Sequence, residues 1–288
     1  MPVSVVFGAS GAIGRFLLPR LLQADHDVVA VSREPRAAGH SHLRWIAGNL
    51  PNDVPSLPDG TTIFSLGPLD AFAEWLAASG PRDARVIAIG SRSIETKKDS
   101  ADAAERDVAS RLARAEASLA RIAEGGTRIT LLRPTLIYGA GLDRSLTPIV
   151  AFARRWRVFP YVAGANGLRQ PVHADDLAAA CIELARTTPP RHAYDVGGGE
   201  RIAFSAMLRR VRTSLPFFAL GLPVPLALAN AGAGFARSAP AFRAASAGAL
   251  ARMREDLVVD DSAAAADFGW SPRAFAPEAG DWTPRPLP

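Results

Sequence analysis

The fold is decided by the stretch Val3-Ser4-Val5-Val6-Phe7-Gly8-Ala9-Ser10-Gly11-Ala12-Ile13-Gly14. A short β-prone run leads directly into three evenly spaced glycines and then into a segment with helical periodicity. Glycines there let the chain turn sharply, bring its backbone close to a pyrophosphate and pack the helix on the strand. The N–H groups and positive dipole end of that helix attract phosphate. We therefore predict a dinucleotide-binding loop. Its predicted contacts are Gly8, Ser10, Gly11, Ala12, Ile13 and Gly14.

The rest of the chain extends this unit into an α/β fold with a doubly wound parallel sheet of the Rossmann type, because short β-rich runs alternate with helix-length segments as far as Tyr138. Predicted strands cover 3–7, 27–31, 43–47, 62–65, 85–89, 128–132 and 191–196, and predicted helices cover 11–23, 69–78, 101–124 and 174–186. We expect a nucleotide-binding domain at 1–139, to which the chain returns at about 171–198. Residues 140–170 and 199–288 then form a smaller substrate lobe.

Composition excludes several classes of protein. The net charge is +5, but the arginines are scattered and aromatic residues make up only 7% of the 288 residues, so we expect no nucleic-acid partner. Cys181 is the only cysteine, which excludes an intrachain disulfide. The His40-Ser41-His42 pair lacks a third ligand nearby, so no metal is predicted.

Two segments bear on location. The N-terminus enters the apolar run Val3 to Phe7 at once, leaving no room for a signal segment, so we predict a cytoplasmic protein. The apolar stretch 215–236 is long enough to span a bilayer, but prolines and glycines interrupt it. We favour a buried helix-and-loop segment without membrane association. The alternative is a membrane-associated protein in which this segment carries a lipid-like substrate or docks to a partner.

The end of the second strand predicts which cofactor binds. Enzymes that use NAD usually carry an acid here for the ribose hydroxyls, whereas this chain reads Val31-Ser32-Arg33-Glu34-Pro35-Arg36. Arginine forks suit a phosphate, so we predict NADP with Ser32, Arg33 and Arg36 near its 2′-phosphate. Glu34 keeps NAD as the alternative.

Four further motifs accompany the glycine loop. They are Gly48-Asn49-Leu50, Leu132-Arg133-Pro134-Thr135-Leu136-Ile137-Tyr138-Gly139, Arg169-Gln170-Pro171-Val172-His173-Ala174-Asp175-Asp176-Leu177 and Tyr194-Asp195-Val196-Gly197-Gly198-Gly199. Together the chain resembles the extended or atypical branch of the short-chain dehydrogenase/reductase superfamily, which includes nucleotide-sugar epimerases and dehydratases. The resemblance implies cofactor contacts at Asn49, Leu50, Leu66, Gly67 and Pro134, and substrate contacts at Tyr138 and Arg169. His173 is expected to pack at the domain junction, with Asp175 or Asp176 capping the following helix.

The chain departs from the superfamily in the helix predicted at 101–124. Relatives place a tyrosine and, four residues later, a lysine on one face of that helix, and the matching positions here are Ser110 and Arg114. Serine does not readily replace the tyrosine as an acid, and arginine stays charged. Ser91 matches the residue that polarises the substrate, and Ser93 is a neighbouring substrate contact. The catalytic candidates are therefore Ser91, Ser110 and Arg114.

Two functions remain open. The first is an NAD(P)-dependent oxidoreductase or nucleotide-sugar epimerase/dehydratase-like enzyme that acts on a small hydroxylated or phosphorylated substrate. The second is a catalytically degenerate sensor or scaffold that keeps NADP(H) as a structural or regulatory ligand. The sequence leaves the oligomeric state open, a homodimer included.

Overall fold

The computed structural model describes residues 2–34, 36, 38–81, 83–225 and 252–288. Its strands are β1 Val3–Phe7, β2 Asp27–Ser32, β3 Leu43–Ala47, β4 Thr62–Ser65, β5 Arg85–Ile89, β6 Arg128–Pro134, β7 Ile137–Tyr138, β8 Val158–Val162, β9 Leu168–Arg169, β10 Val172–His173, β11 Ala193–Val196, β12 Ile202–Ala203 and β13 Leu220–Val224. Its helices are α1 Gly14–Gln23, α2 Leu69–Ser79, α3 Ser93–Lys97, α4 Ala103–Glu124, α5 Thr147–Trp156, α6 Ala174–Arg186, α7 Phe204–Thr213 and α8 Ser262–Phe268. Short 3-10 helices cover Arg252–Arg254 and Ala279–Trp282.

A parallel sheet of seven strands forms the centre, in the order β3-β2-β1-β4-β5-β6-β11. The run of Val and Ile in these strands suits a sheet that is covered on both faces. Strand order reverses between β1 and β4, where Val5 lies opposite Ile63 and both are fully buried. In open sheets of this kind, ligands bind outside the carboxyl ends of the strands at such a reversal.

Helices cover both faces of the sheet. On one face α1 packs on β2 and α6 packs on β5, and both share a core that includes Leu17, Leu21 and Leu177. On the other face α2 and α4 pack through Phe72, Trp75 and Leu119. This layered arrangement confirms the predicted doubly wound α/β fold.

A third core stabilises the lobe built from α5, β8, α7 and β13. Phe159 of β8 and Met207 and Val211 of α7 are buried in it. Tyr138 and Trp282 join the same core, so this lobe packs directly on the segment that follows β6. The domain boundary at residue 139 stays a prediction.

The predicted strand and helix bounds agree with the structure to within about two residues in most elements. The predicted helix 101–124 begins at Ala103, because Asp102 accepts a hydrogen bond from Ala104 N–H at 2.9 Å and caps it. Residues 139–170, for which no helix or strand is predicted above, contain helix α5 and strand β8. The described part of the apolar segment, 215–225, is not the buried helix and loop expected, because it holds strand β13, in which Leu220 and Leu222 are 57% and 48% exposed. The last part, 226–236, lies outside the described residues. Within the described part of the chain, no helix is long and apolar enough to cross a bilayer.

An ion pair joins the start of α4 to the segment that follows residue 251. Arg252 donates from both guanidinium nitrogens to the two carboxylate oxygens of Glu105 at 2.6 Å, and the two side chains are only 12% and 13% exposed. The hydrogen bonds from Arg252 lower the pKa of Glu105 from 4.5 to about 2. Folding is therefore stabilised by this carboxylate above pH 4.5, and that contribution is lost as the pH falls towards 2.

We expect Glu105→Gln to lower the free energy of unfolding at pH 7 by about 3 kcal/mol, because it leaves the Arg252 guanidinium without its charged partner. Urea unfolding at pH 7 and at several pH values below 4.5 measures both effects. The variant should lose stability less steeply than the native protein as the pH falls.

Asp107→Asn is the matched control, since Asp107 pairs with Arg111 on an exposed face of the same helix. Its unfolding free energy should change by less than about 0.5 kcal/mol. Equal losses in the two variants would contradict the assigned role of the Glu105–Arg252 pair.

Candidate functional site

The glycine loop lies at the reversal between β1 and β4 and leaves no room for side chains. Gly8 has a φ of 75°, and a Cβ there would lie 2.8 Å from the carbonyl carbon of Leu66. A Cβ on Gly14 would lie 2.2 Å from the carbonyl oxygen of Ala9. By contrast, a Cβ on Gly67 would approach no described protein atom closer than 3.9 Å. The backbone therefore forms a close-packed floor with free space above Gly67.

This loop fits the pyrophosphate of a dinucleotide. Helix α1 begins at Gly14, so its positive end lies at the loop. Ser10 and Gly11 precede it, and Gly11 N–H donates to Gly8 O at 2.9 Å to tighten the turn. Asn49 and Leu50 follow β3 at the same edge of the sheet, and the backbone of Asn49 pairs with that of Asp53 in a tight turn. The structure thus gathers the predicted cofactor contacts from β1, β3 and β4 along one edge.

Two arginines near the end of β2 lie within electrostatic range of each other. Arg15 Nε donates to Ser10 O at 3.0 Å, and Arg36 lies 5.6 Å from the centre of the Trp45 ring. Burial lowers the pKa of Arg15, and the nearby charge of Arg36 lowers it further. Among the described residues no carboxylate pairs with either guanidinium, so this like-charge pair is suited to an anion.

Sequence reasoning included Arg36 and missed Arg15. The feature that could have identified Arg15 is its position directly after the third glycine, on the first turn of α1. Arg33 is exposed, and Ser32 Oγ accepts a hydrogen bond from Glu34 N–H at 3.4 Å. Ser32 ends β2, and Arg33 follows it directly at the carboxyl end of that strand.

The segment 281–288 borders the loop along its outer side. Gly141 N–H donates to Asp281 O at 2.7 Å, and the Arg285 guanidinium lies 4.9 Å from the centre of the Phe16 ring. Arg15 donates to Arg285 O as well as to Ser10 O, so one side chain connects this segment to the glycine loop. Nothing in the sequence pattern indicated this contact, because it joins residues 270 positions apart.

The opposite end of the site carries two linked hydroxyls. Ser91 Oγ donates to Ser93 Oγ at 2.9 Å and accepts from Ser93 N–H at 3.1 Å. Both follow β5, where Gly90 N–H donates to Leu132 O, and Pro134 ends the neighbouring strand β6. Ser93 Oγ keeps one hydrogen with which it can act as a donor, because a serine hydroxyl carries one donor.

Ser110 and Arg114, the predicted catalytic residues of α4, lie on an exposed face of that helix. These two residues are exposed and bonded to each other, with Arg114 Nη1 donating to Ser110 Oγ at 2.8 Å, and Arg114 lines a groove between α2 and α4. Glu116 shows which face of α4 is directed at the strand ends, because it accepts a hydrogen bond from Arg133 Nε at 2.8 Å and Arg133 lies near the end of β6. Each helical residue advances by about 100°, so Leu112 and Val108, four and eight residues earlier, share that face.

Arg169 is buried inside the lobe and does not present its charge to a cleft. Its guanidinium donates to the carbonyls of Leu168 and Glu255 at 2.8 Å and of Arg252 at 2.6 Å. Burial lowers its pKa to about 10, and it stacks 5.0 Å from the centre of the Phe204 ring. The assignment of Arg169 as a substrate contact is therefore corrected, because its donors already hold the chain around residue 252.

Tyr138 is also buried, and it packs against His173, Phe275 and Trp282. Burial raises its pKa well above the usual range. Its predicted substrate contact is therefore corrected to a role in the core. His173 packs at this junction as expected, but it is His173 that caps α6, because its ring accepts from Asp175 N–H at 3.0 Å.

Asp175 and Asp176 do not cap the helix. They pair with arginines, Asp175 with Arg20 and both carboxylates with Arg273. These pairs tie α6 to α1 and to the segment after α8. The two acids therefore stabilise the packing of elements around the site.

Comparisons with solved structures show the same fold. UDP-glucuronic acid 4-epimerase from Bacillus cereus, solved with UDP-glucuronic acid and NAD, is 13% identical at a TM-score of 0.65, covering 94% of each chain. TunA, an NAD-dependent NDP-hexosamine 5,6-dehydratase involved in tunicamycin biosynthesis, is 13% identical at a TM-score of 0.65, covering 98% of this chain and 95% of that one. A putative epimerase from Burkholderia cenocepacia J2315 is 17% identical at 0.57, over 77% and 84%.

Comparison with curated proteins gave no match. The sequence model of the NAD dependent epimerase/dehydratase family matches residues 4–56 and 72–197, more than half of the chain. These matched ranges include the glycine loop, Ser91 and Ser93, and strand β11. The chain belongs to the NAD dependent epimerase/dehydratase family.

Proposed function

We propose that this protein is an NADP(H)-dependent member of its family that acts on a nucleotide sugar or a similar hydroxylated, phosphorylated molecule. The proposed NADP(H) preference rests on the pair Arg15 and Arg36 beside the glycine loop. The structural neighbours bind NAD. In this chain a 2′-phosphate would neutralise the two guanidiniums, whereas the two hydroxyls of NAD would leave them facing each other.

The residues present fit the cofactor along its length. The close-packed floor at Gly8 and Gly14 would hold the pyrophosphate, and Ser32, Arg15 and Arg36 would hold the adenosine phosphate. Pro134 and Ser91 lie at the strand ends where the nicotinamide would reach. When bound, the nicotinamide supplies hydride transfer, and the chain supplies orientation and proton transfer.

The substrate half rests on the family and on the hydroxyl pair after β5. Relatives with this fold bind UDP-glucuronic acid or act on an NDP-hexosamine. Ser93 Oγ would donate to a sugar hydroxyl, with Ser91 holding its orientation. A serine hydroxyl is a weak acid, so this pair positions the substrate, and proton transfer must use a water or another group.

The face of α4 directed towards the strand ends favours a second function, in which the protein binds NADP(H) without catalysis. Val108 and Leu112 occupy the turns of this face before Glu116, and neither side chain can exchange a proton. A protein with such a face could hold NADP(H) as a structural or regulatory ligand and catalyse nothing. Binding of the cofactor is common to both functions, and turnover separates them.

Arg36→Met should weaken NADPH binding about 10- to 100-fold and leave NADH binding unchanged, because the variant removes a charge-assisted hydrogen bond to the 2′-phosphate but keeps an apolar side chain over Trp45. Calorimetric titration with each cofactor measures both constants. Equal affinity of the native protein for NADPH and NADH would exclude the NADP preference.

Arg44→Met is its control, since Arg44 lies one residue from Trp45 in β3 but lines a cavity with Asp27 and His42 near the amino end of the strand. The NADPH affinity of this variant should equal that of the native protein. A matching loss in the control would mean that general positive charge, and not a phosphate contact, determines affinity.

Ser93→Ala should lower kcat/KM for a UDP-sugar by about tenfold or more, with unchanged NADPH affinity, because it removes one hydrogen bond to the reacting substrate. The measurement is product formation from a panel of UDP-sugars and their keto forms, followed by chromatography as well as by the absorbance of reduced nicotinamide, because an epimerase or dehydratase returns the hydride to the sugar and leaves the cofactor unchanged overall. Ser79→Ala, at the far end of α2 on the exposed surface, is the control and should retain full activity. NADPH binding with no turnover by the native protein would favour the sensor function.

A further inference from the structure

One surface of the lobe exposes large apolar side chains that seldom occur together on the surface of a soluble protein. Trp156 is 59% exposed, Phe218 80%, Leu220 57% and Leu222 48%. Trp156 ends α5, and the other three lie in and just before β13. Their contiguity matters, because isolated exposed apolar residues are common whereas clustered ones mark an interaction surface.

These side chains lie next to one another in the fold. Strand β13 pairs with β8, so Leu220 lies opposite Val158, two residues beyond Trp156. Leu220 N–H donates to Arg157 O at 2.8 Å, which places β13 directly against the end of α5. Leu220 and Leu222 point to the same side of the strand, since side chains alternate along it. We call this surface, with the arginines named below, the α5–β13 surface.

Positive charge surrounds the apolar residues without acidic partners. The sequence contains no Asp or Glu in 144–174 or in 201–225, the two stretches that supply this surface. Its exposed arginines are Arg154, Arg155 and Arg157, at the end of α5. Among the described residues none of these three pairs with a carboxylate. Arg155 lies 5.3 Å from the centre of the Trp156 ring, and Arg157 lies 4.8 Å from that of Phe217.

We propose that the α5–β13 surface docks this protein on the surface of an anionic lipid bilayer. Aromatic rings lie at the headgroup level of a membrane, aliphatic side chains enter the acyl boundary, and arginines contact lipid phosphates. Each basic residue near such a surface strengthens binding. This is attachment to one leaflet and is consistent with the finding that no described helix could cross a bilayer.

Charge and chemistry select this occupant over others. A second copy of the chain docked by the same surface would bring two groups of arginines without carboxylate partners into one interface, where they repel. A nucleic acid would satisfy the arginines but would leave the aliphatic Leu220 and Leu222 in water, because it offers them no apolar partner. A bilayer with anionic headgroups satisfies both groups. The proposal rests on the lobe alone and does not depend on the proposed function.

Sedimentation with phosphatidylcholine vesicles, with and without phosphatidylglycerol, tests the proposal on the full chain at physiological salt. The native protein should sediment with the anionic vesicles and remain in solution with the neutral ones. Arg154→Gln/Arg155→Gln should lower the vesicle affinity at least tenfold. Phe218→Ser/Leu220→Ser should lower it by a similar factor, because the apolar contribution is lost.

Arg121→Gln/Arg128→Gln is the charge-matched control, since both arginines are exposed on the nucleotide-binding domain. It should bind anionic vesicles like the native protein, and all three double variants should keep the thermal midpoint and the NADPH affinity of the native protein. No sedimentation with anionic vesicles, or an equal loss in the control, would overturn the proposal. Unchanged binding in Phe218→Ser/Leu220→Ser would overturn insertion, and binding of a DNA duplex in place of vesicles would assign the surface to nucleic acid.

Discussion

The close approach of β1 and β4 at Gly8 is the constraint on which the site depends. The backbone of Leu66 lies so near Gly8 that no side chain fits between them, and Ala9 closes in on Gly14 in the same way. These two contacts bring the positive end of α1 to the point where strand order reverses. A pyrophosphate can then meet the backbone N–H groups directly, and the other predicted contacts follow strands that end at the same edge of the sheet.

Arginine does different work in different parts of this molecule, and burial decides which. Arg169 is buried and spends its donors on three backbone carbonyls. Arg252 is buried against a carboxylate and joins the lobe to α4. Arg15 and Arg36 lie near each other without a described carboxylate partner, so they remain able to bind an anion. Nearly all the positive charge of this chain is arginine. Its composition therefore does not show which arginines bind the backbone, which pair with a carboxylate and which can bind an anion.

The sequence predicted the central sheet well because its signals are local. Apolar strands, glycine spacing and helical periodicity depend on neighbouring residues, and β1, β3, β4 and α6 appear at the predicted bounds. The site was predicted less well because its key contacts are distant. The Glu116–Arg133 pair sets the rotation of α4 about its axis. As a result Val108 and Leu112, and not the predicted Ser110 and Arg114, lie on the face directed towards the strand ends. The burial of Tyr138 and Arg169 depends on residues 252–282, which no local pattern connects to them.

A crystal structure of the protein grown with NADPH tests the central claim most directly. The account predicts the pyrophosphate against the backbone of residues 10–14 and the 2′-phosphate between Arg15 and Arg36, with the nicotinamide reaching Ser91 and Pro134. Clear density for the cofactor at another place, or a 2′-phosphate in solvent away from both arginines, would contradict it.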